Sequence, residues 1–179
     1  LAVLETGQDS LFPLLNDKII DIGLVGFSKA YSAEFARTFM QEQELYHIQK
    51  LFTDPMVCVM EKSHPLAMYD ILSREQIGAY KQTIYGSDAT FISSIGAMHI
   101  STNAKTHQQF MKTIGAVCMM PRQAFLSLYP ADQFVCKPVL DAEPVTIYLV
   151  CRKQSQKQQS DLYQTFIDTV LSIIPKTTE

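Results

Sequence analysis

The sequence predicts an α/β protein with a mostly parallel sheet, and three observations predict it. Short apolar runs of strand length recur along the chain, among them Ile19–Val25, Val117–Met120 and Val145–Cys151. Between them lie longer stretches whose apolar residues return at helical spacing. The first strand, helix and strand fit within 25 residues, which implies a right-handed crossover and parallel pairing.

The elements follow in order. Leu1–Glu5 alternates weakly and reads as a strand. The segment 8–16 carries Leu11, Phe12, Leu14 and Leu15, a short helix entered from Thr6-Gly7. Ile19–Val25 is the next strand, and residues 26–32 form a polar turn at its carboxyl end. Residues 33–44 read as a helix with Phe35, Phe39 and Met40 on one side and Glu34, Gln41 and Glu42 on the other. Tyr46–Phe52 and Met56–Met60 are two strands broken by Thr53-Asp54-Pro55. Ser73-Arg-Glu-Gln76 has the pattern of a capping box, opening a helix that reaches Tyr80. Gln82–Tyr85 is a strand ending at Gly86-Ser87, and Met98–Ser101 is another.

Asn103 is placed to cap a helix carrying Ala104, His107, Phe110, Met111 and Ile114 at helical spacing. Val117–Met120 is a strand closed by Pro121, which suits the first turn of a helix running through Tyr129. Val145–Cys151 is almost wholly apolar, as expected of a strand covered on both faces. The Gln-rich stretch 153–160 is a solvated loop. A last helix, Asp161–Ile174, lines up Leu162, Phe166, Val170 and Ile173 and stops at Pro175.

Composition excludes several function classes. The 179 residues are 47% apolar and 18% charged, which is globular and large enough to bury a core. No apolar run approaches the roughly 20 residues of a membrane-spanning helix, so no membrane partner is expected. Fifteen Lys and Arg against 18 acids give a net charge of −3, without the basic footprint of a surface that grips DNA phosphates. With Leu1 inside an apolar strand, no initiator Met and no signal-peptide pattern, the sequence reads as a fragment. The four cysteines (Cys58, Cys118, Cys136, Cys151) form no Cys-x-x-Cys pair and sit in apolar runs, the setting of buried thiols in a reducing compartment. A redox pair of Cys118 with Cys136 is the sharper alternative.

Asp21-Ile-Gly-Leu-Val25, then Leu51–Met60, then Ser63-His-Pro-Leu-Ala67 resemble, in that order, the effector-binding domain of LysR-type transcriptional regulators. Met111–Pro121 is similar to that family's helix, glycine turn and apolar strand. Residues 144–153 and 162–174 are similar to its closing strand and helix. The resemblance implies two Rossmann-like α/β subdomains joined by two crossover strands, a type 2 periplasmic-binding-protein-like fold. Subdomain I would be 1–60 and 144–179, and subdomain II 61–143. Three departures stand out: the family's opening strand and helix are missing from this sequence, Ile114-Gly115-Ala116 replaces Gly-x-Gly, and the span from Ile84 to Met98 is short.

The resemblance further implies a cytoplasmic homodimer or homotetramer that binds a small-molecule effector between its lobes. DNA would be contacted only through an amino-terminal winged helix-turn-helix outside this fragment. Three groups at carboxyl ends of strands are candidate effector sites: Gly26, Phe27 and Ser28; Tyr85, Gly86 and Ser87; and Ser101, Thr102 and Asn103. The third leads into a helix, so its hydroxyls and free N–H groups suit an anion. The plain alternative for all three is turn and cap formation. His47, His64, His99 and His107 match no zinc spacing, and no P-loop, Rossmann glycine run or Gly-x-Ser-x-Gly elbow is present, so no cofactor, metal or enzyme activity is expected. A stand-alone solute-binding protein of the same bilobal design is the alternative function.

Overall fold

The computed structural model describes residues 4, 10–27, 44–85, 99–101, 103–153 and 161–173. In chain order the elements are α1 (Leu11–Asn16), β1 (Ile22–Phe27), β2 (Tyr46–Asp54), β3 (Met56–Glu61), a 3-10 turn (Pro65–Met68), α2 (Arg74–Gly78), β4 (Gln82–Tyr85) and β5 (His99–Ser101). They continue with α3 (Ala104–Ile114), β6 (Val117–Pro121), α4 (Arg122–Leu128), β7 (Phe134–Pro138), β8 (Val145–Arg152) and α5 (Asp161–Ile173). The strand expected at 1–5, the crossover built on it, the helix expected at 33–44 and the loop beyond Lys153 lie outside the described residues.

The chain forms two units, one built on Asp54–Pro144 and the other on Gln8–Thr53 with Val145–Glu179. The first carries a five-stranded sheet ordered β5-β4-β6-β3-β7. β4 runs parallel to β5 and β6, whereas β3 is antiparallel to both β6 and β7. The sheet is therefore mixed rather than mostly parallel. The chain enters this unit along β3 and leaves it after β7; neighbouring strands used for entry and exit must run in opposite directions. The same pairing groups β3 with this unit, which begins at Asp54.

β3 is buried along its length because both faces of the sheet are covered. Val57 and Val59 point into a core shared with Met111 of α3, Phe125 of α4, Tyr129 and Phe134. Cys58 and Met60 point the other way, onto Leu66, Leu72, Ile77 and Val139. β7 escapes the sequence patterns: it is a half-exposed edge strand containing Lys137 and Pro138, features that mark edges and dilute an apolar signal.

Most local start and stop signals act as expected. In the capping box of α2, the Gln76 N–H donates to Ser73 Oγ (3.1 Å) and the Ser73 N–H to Gln76 Oε1 (2.8 Å). Asn103 Oδ1 accepts the Thr106 N–H at 3.0 Å and opens α3. Gly115 ends that helix at φ 59°, a left-handed conformation that glycine adopts without Cβ strain. Pro121 closes β6 and stands just before α4 rather than in its first turn.

His64 shows why the His-Pro turn holds its shape. Its Nδ1 accepts the Leu66 N–H (3.1 Å) and its ring packs 4.6 Å from that of Tyr80. Burial lowers its pKa below the ordinary 6.5, against the opposing pull of the Gly115 backbone and Glu61. The unfolded chain therefore takes up this proton first as pH falls. His64 contributes stability that is complete above 6.5 and lost on acidification below it. The melting temperature is expected to drop between pH 7 and 5.5, and His64→Asn, which keeps a capping oxygen but cannot titrate, to flatten the drop; an unchanged pH profile in the variant would assign the titration elsewhere.

The second unit has a three-stranded sheet ordered β1-β8-β2, with β1 antiparallel to β8 from Ile22↔Cys151 to Phe27↔Thr146. Leu11 and Leu15 of α1 cover one face, against Val25, Phe27, Tyr46 and Val150. Ile167 and Phe166 of α5 cover the other, against Leu149, Cys151 and Leu51. β2 runs through Thr53 and Asp54, where Thr53 Oγ1 meets Thr146 Oγ1 at 3.3 Å. Only Pro55, which has no N–H to give, interrupts it.

Candidate functional site

Parallel pairing of β4 with β5 brings two of the three predicted groups together. The register Thr83↔His99, Ile84↔Ile100, Tyr85↔Ser101 sets Tyr85 beside Ser101 at one carboxyl edge of the sheet. Two residues later Asn103 opens α3, whose first turn holds no acid and includes Lys105. An 11-residue helix turns its partial positive end towards this edge, an arrangement suited to an anion. Gly86, Ser87 and Thr102 lie outside the described residues.

The third group is different. Gly26 and Phe27 are the last residues of β1, not a turn, and they belong to the other unit. The Phe27 ring is buried in the core, 6.3 Å from the ring of Tyr148. A Cβ on Gly26 would come within 2.8 Å of Val145 Cγ1 and 2.9 Å of Ile147 Cδ1, so a larger residue would force those β8 side chains to shift. The strand continues to Phe27 because all six of its residues pair with β8. Ser28 lies outside the described residues.

Beneath the β4 edge sits a buried polar cluster. His107, one helical turn from Asn103, is fully buried and meets the Tyr85 ring edge-on at 5.7 Å between centroids. Its Nδ1 lies 2.5 Å from the hydroxyl of Tyr129. Burial, reinforced by Cys118 and Tyr85, drives the Tyr129 pKa upwards, so the phenol stays protonated, and the tautomer of His107 sets which of the two groups donates. Thr83 Oγ1 donates to the Val117 carbonyl at 3.4 Å. The helical spacing of His107 made its burial legible; the partner Tyr129 carried no sequence signal.

Cys118 completes this floor, its thiol pushed up to about 12 by burial. Cys58 is likewise pushed up to about 12. Both thiols are buried and held protonated, so neither is poised as a nucleophile. Cys118 and Cys136 pair with Val59 from opposite sides, on β6 and β7. Two strand spacings put their Cα atoms about 9–10 Å apart, beyond the roughly 7 Å limit for a disulfide, and the redox pairing is thereby excluded in this arrangement. None of the four cysteines is in a disulfide, and only Cys136 is not fully buried. A thiol reagent is expected to modify Cys136 alone under native conditions and all four in denaturant. Fast native labelling of Cys58 or Cys118 would contradict the packing.

Among the described residues no group of three or more His, Cys, Asp or Glu could hold a metal ion, and no helix is long and apolar enough to cross a membrane.

No protein-family model matches the chain, and no curated protein matches it in sequence. Solved structures do match. The reduced form of OxyR aligns with 99% of this chain and 82% of its own, with a TM-score of 0.70 and 16% identity. A variant of the regulatory domain of MetR, a LysR family regulator from N. meningitidis, aligns with 91% of this chain and 77% of its own, with a TM-score of 0.66 and 14% identity. The effector-binding domain of QuiR in complex with shikimate aligns with 96% of this chain and 79% of its own, with a TM-score of 0.63 and 17% identity. The fold is the type 2 periplasmic-binding-protein-like fold of LysR effector-binding domains.

Proposed function

We propose that this chain is the effector-sensing domain of a LysR-type transcriptional regulator and that it binds a small organic anion at the edge formed by Tyr85, Ser101 and Asn103. One observation carries the reading: two parallel strands end side by side at the positive end of an acid-free helix start. The fold, shared with a domain that holds shikimate, supports it. The proposed regulator is a cytoplasmic homodimer or homotetramer, reads DNA through a winged helix-turn-helix that is not in these residues, and performs no catalysis. Cysteines without disulfides fit a reducing compartment better than the export route of a solute-binding protein.

A ligand that binds only the folded form raises its melting temperature. In a thermal-shift screen of small carboxylates, amino acids and sugars, with shikimate included, a carboxylate is expected to give the largest rise. A response confined to neutral sugars would discard the anion assignment, and a flat screen would discard the sensor. The chain by itself, at net charge −3, is expected to show no salt-dependent DNA affinity at physiological salt. Tight duplex binding by these 179 residues would refute the assigned division of labour.

A further inference from the structure

Helix α4 is tied at both ends by bonds that reach well beyond it. At its amino end the Arg122 N–H donates to the Pro55 carbonyl (2.9 Å) and the Gln123 N–H to the Asp54 carboxylate (2.9 Å). Asp54 is only 3% exposed, so this acceptor is held inside the protein. At its carboxyl end Gln108 Nε2 donates to the Leu128 carbonyl (2.6 Å), and the Tyr129 hydroxyl meets His107 Nδ1. Gln108 and His107 belong to the first half of α3, one turn from Asn103. Asp54-Pro55 is the segment by which the chain enters this unit.

We propose that α4 is a positioning strut that couples the amino end of α3 to the Asp54-Pro55 entry segment. The coupling itself is a property of the unit; its use, transmitting effector occupancy to the chain crossing, rests on the sensor reading above. The physical grounds are stiffness and polar satisfaction. Phe125 of α4 stacks on Tyr129 at 6.0 Å and shares one core with Val57, Val59 and Met111, so the helix shifts as a body. The His107–Tyr129 bond is buried and the Asp54 and Gln108 bonds are part-buried, and the buried one breaks only at the cost of leaving its groups unpaired. A displacement of α3 therefore either carries the Asp54 end with it or breaks one of these contacts. Such coupling is reciprocal.

Hydrogen exchange on the whole chain, with no ligand added, tests this directly. Tyr129→Phe, which keeps the ring, and Tyr129→Phe with Gln108→Ala loosen the carboxyl end of α4. Both are expected to speed exchange of the Arg122 and Gln123 amides, the double variant by about tenfold. The excess is judged against Ile77→Ala, which weakens the core on the opposite face of the sheet. Conversely, Asp54→Ala is expected to speed exchange of the Thr106 and His107 amides, and Asp54→Asn, which retains an acceptor oxygen, to restore most of the protection. Acceleration at 122–123 no greater than in Ile77→Ala, or unchanged Thr106 and His107 amides in Asp54→Ala, would overturn the strut. These readings involve no effector, so a flat ligand screen would remove the sensor assignment and leave the coupling result standing.

Discussion

Phe134→Ala is expected to lower the unfolding free energy by about 3–5 kcal/mol, the range for removing a buried aromatic ring. Phe134 is 1% exposed and, among the described residues, heads the fully buried side chains by volume. Tyr129 meets it edge-on at 5.2 Å, and Lys112 Nζ stands 5.4 Å from its ring centroid. Val57 and Val59 line the same space from β3, a strand hydrogen-bonded on both sides, so the site cannot collapse to refill the void. Urea denaturation with and without the substitution measures the loss. A change below about 1 kcal/mol would mean that the ring is not the keystone of this core. Destabilisation is expected in the Asp54–Pro144 unit, whose core the ring belongs to.

Ser101→Ala combined with Thr102→Ala is expected to weaken effector binding at least tenfold while leaving oligomeric state unchanged. Each hydrogen bond to a charged ligand contributes about 1.5–3 kcal/mol, and tenfold corresponds to about 1.4 kcal/mol. Neither substitution alters Asn103, so the cap on Thr106 and the helix itself remain. Isothermal titration with the best ligand from the thermal screen gives the affinity, and light scattering gives the mass. Full affinity in the double variant would remove these hydroxyls from the site. A change of mass together with loss of affinity would point to misfolding instead.

Much of the local structure was legible. The Ser73–Gln76 box and the Asn103 cap were readable because each is complete within four residues and depends on no partner elsewhere. The helix over Ala104–Ile114 followed from spacing, as did strand β4. Strand direction was another matter. β3 runs against both of its neighbours, whereas β4 runs along both of its own. Nothing in a strand's own residues records that choice. The turn expected at Gly26-Phe27 failed for a similar reason: glycine there answers to Val145 and Ile147, more than a hundred residues further along the chain.

For the candidate site, the sequence placed Tyr85 and Ser101 at strand ends but did not place them side by side; the β4–β5 ladder did. The amino-acid order alone determined the α/β class, the helix caps and which faces would be apolar, because those are set by interactions a few residues long. Only the tertiary structure decided the mixed sheet, the His107–Tyr129 contact across 22 residues and the Asp54–Gln123 bond across 69. Bonds of that span form only after strands and helices have assembled, and the geometry of that assembly depends on the packing of the whole core rather than on any local run of residues.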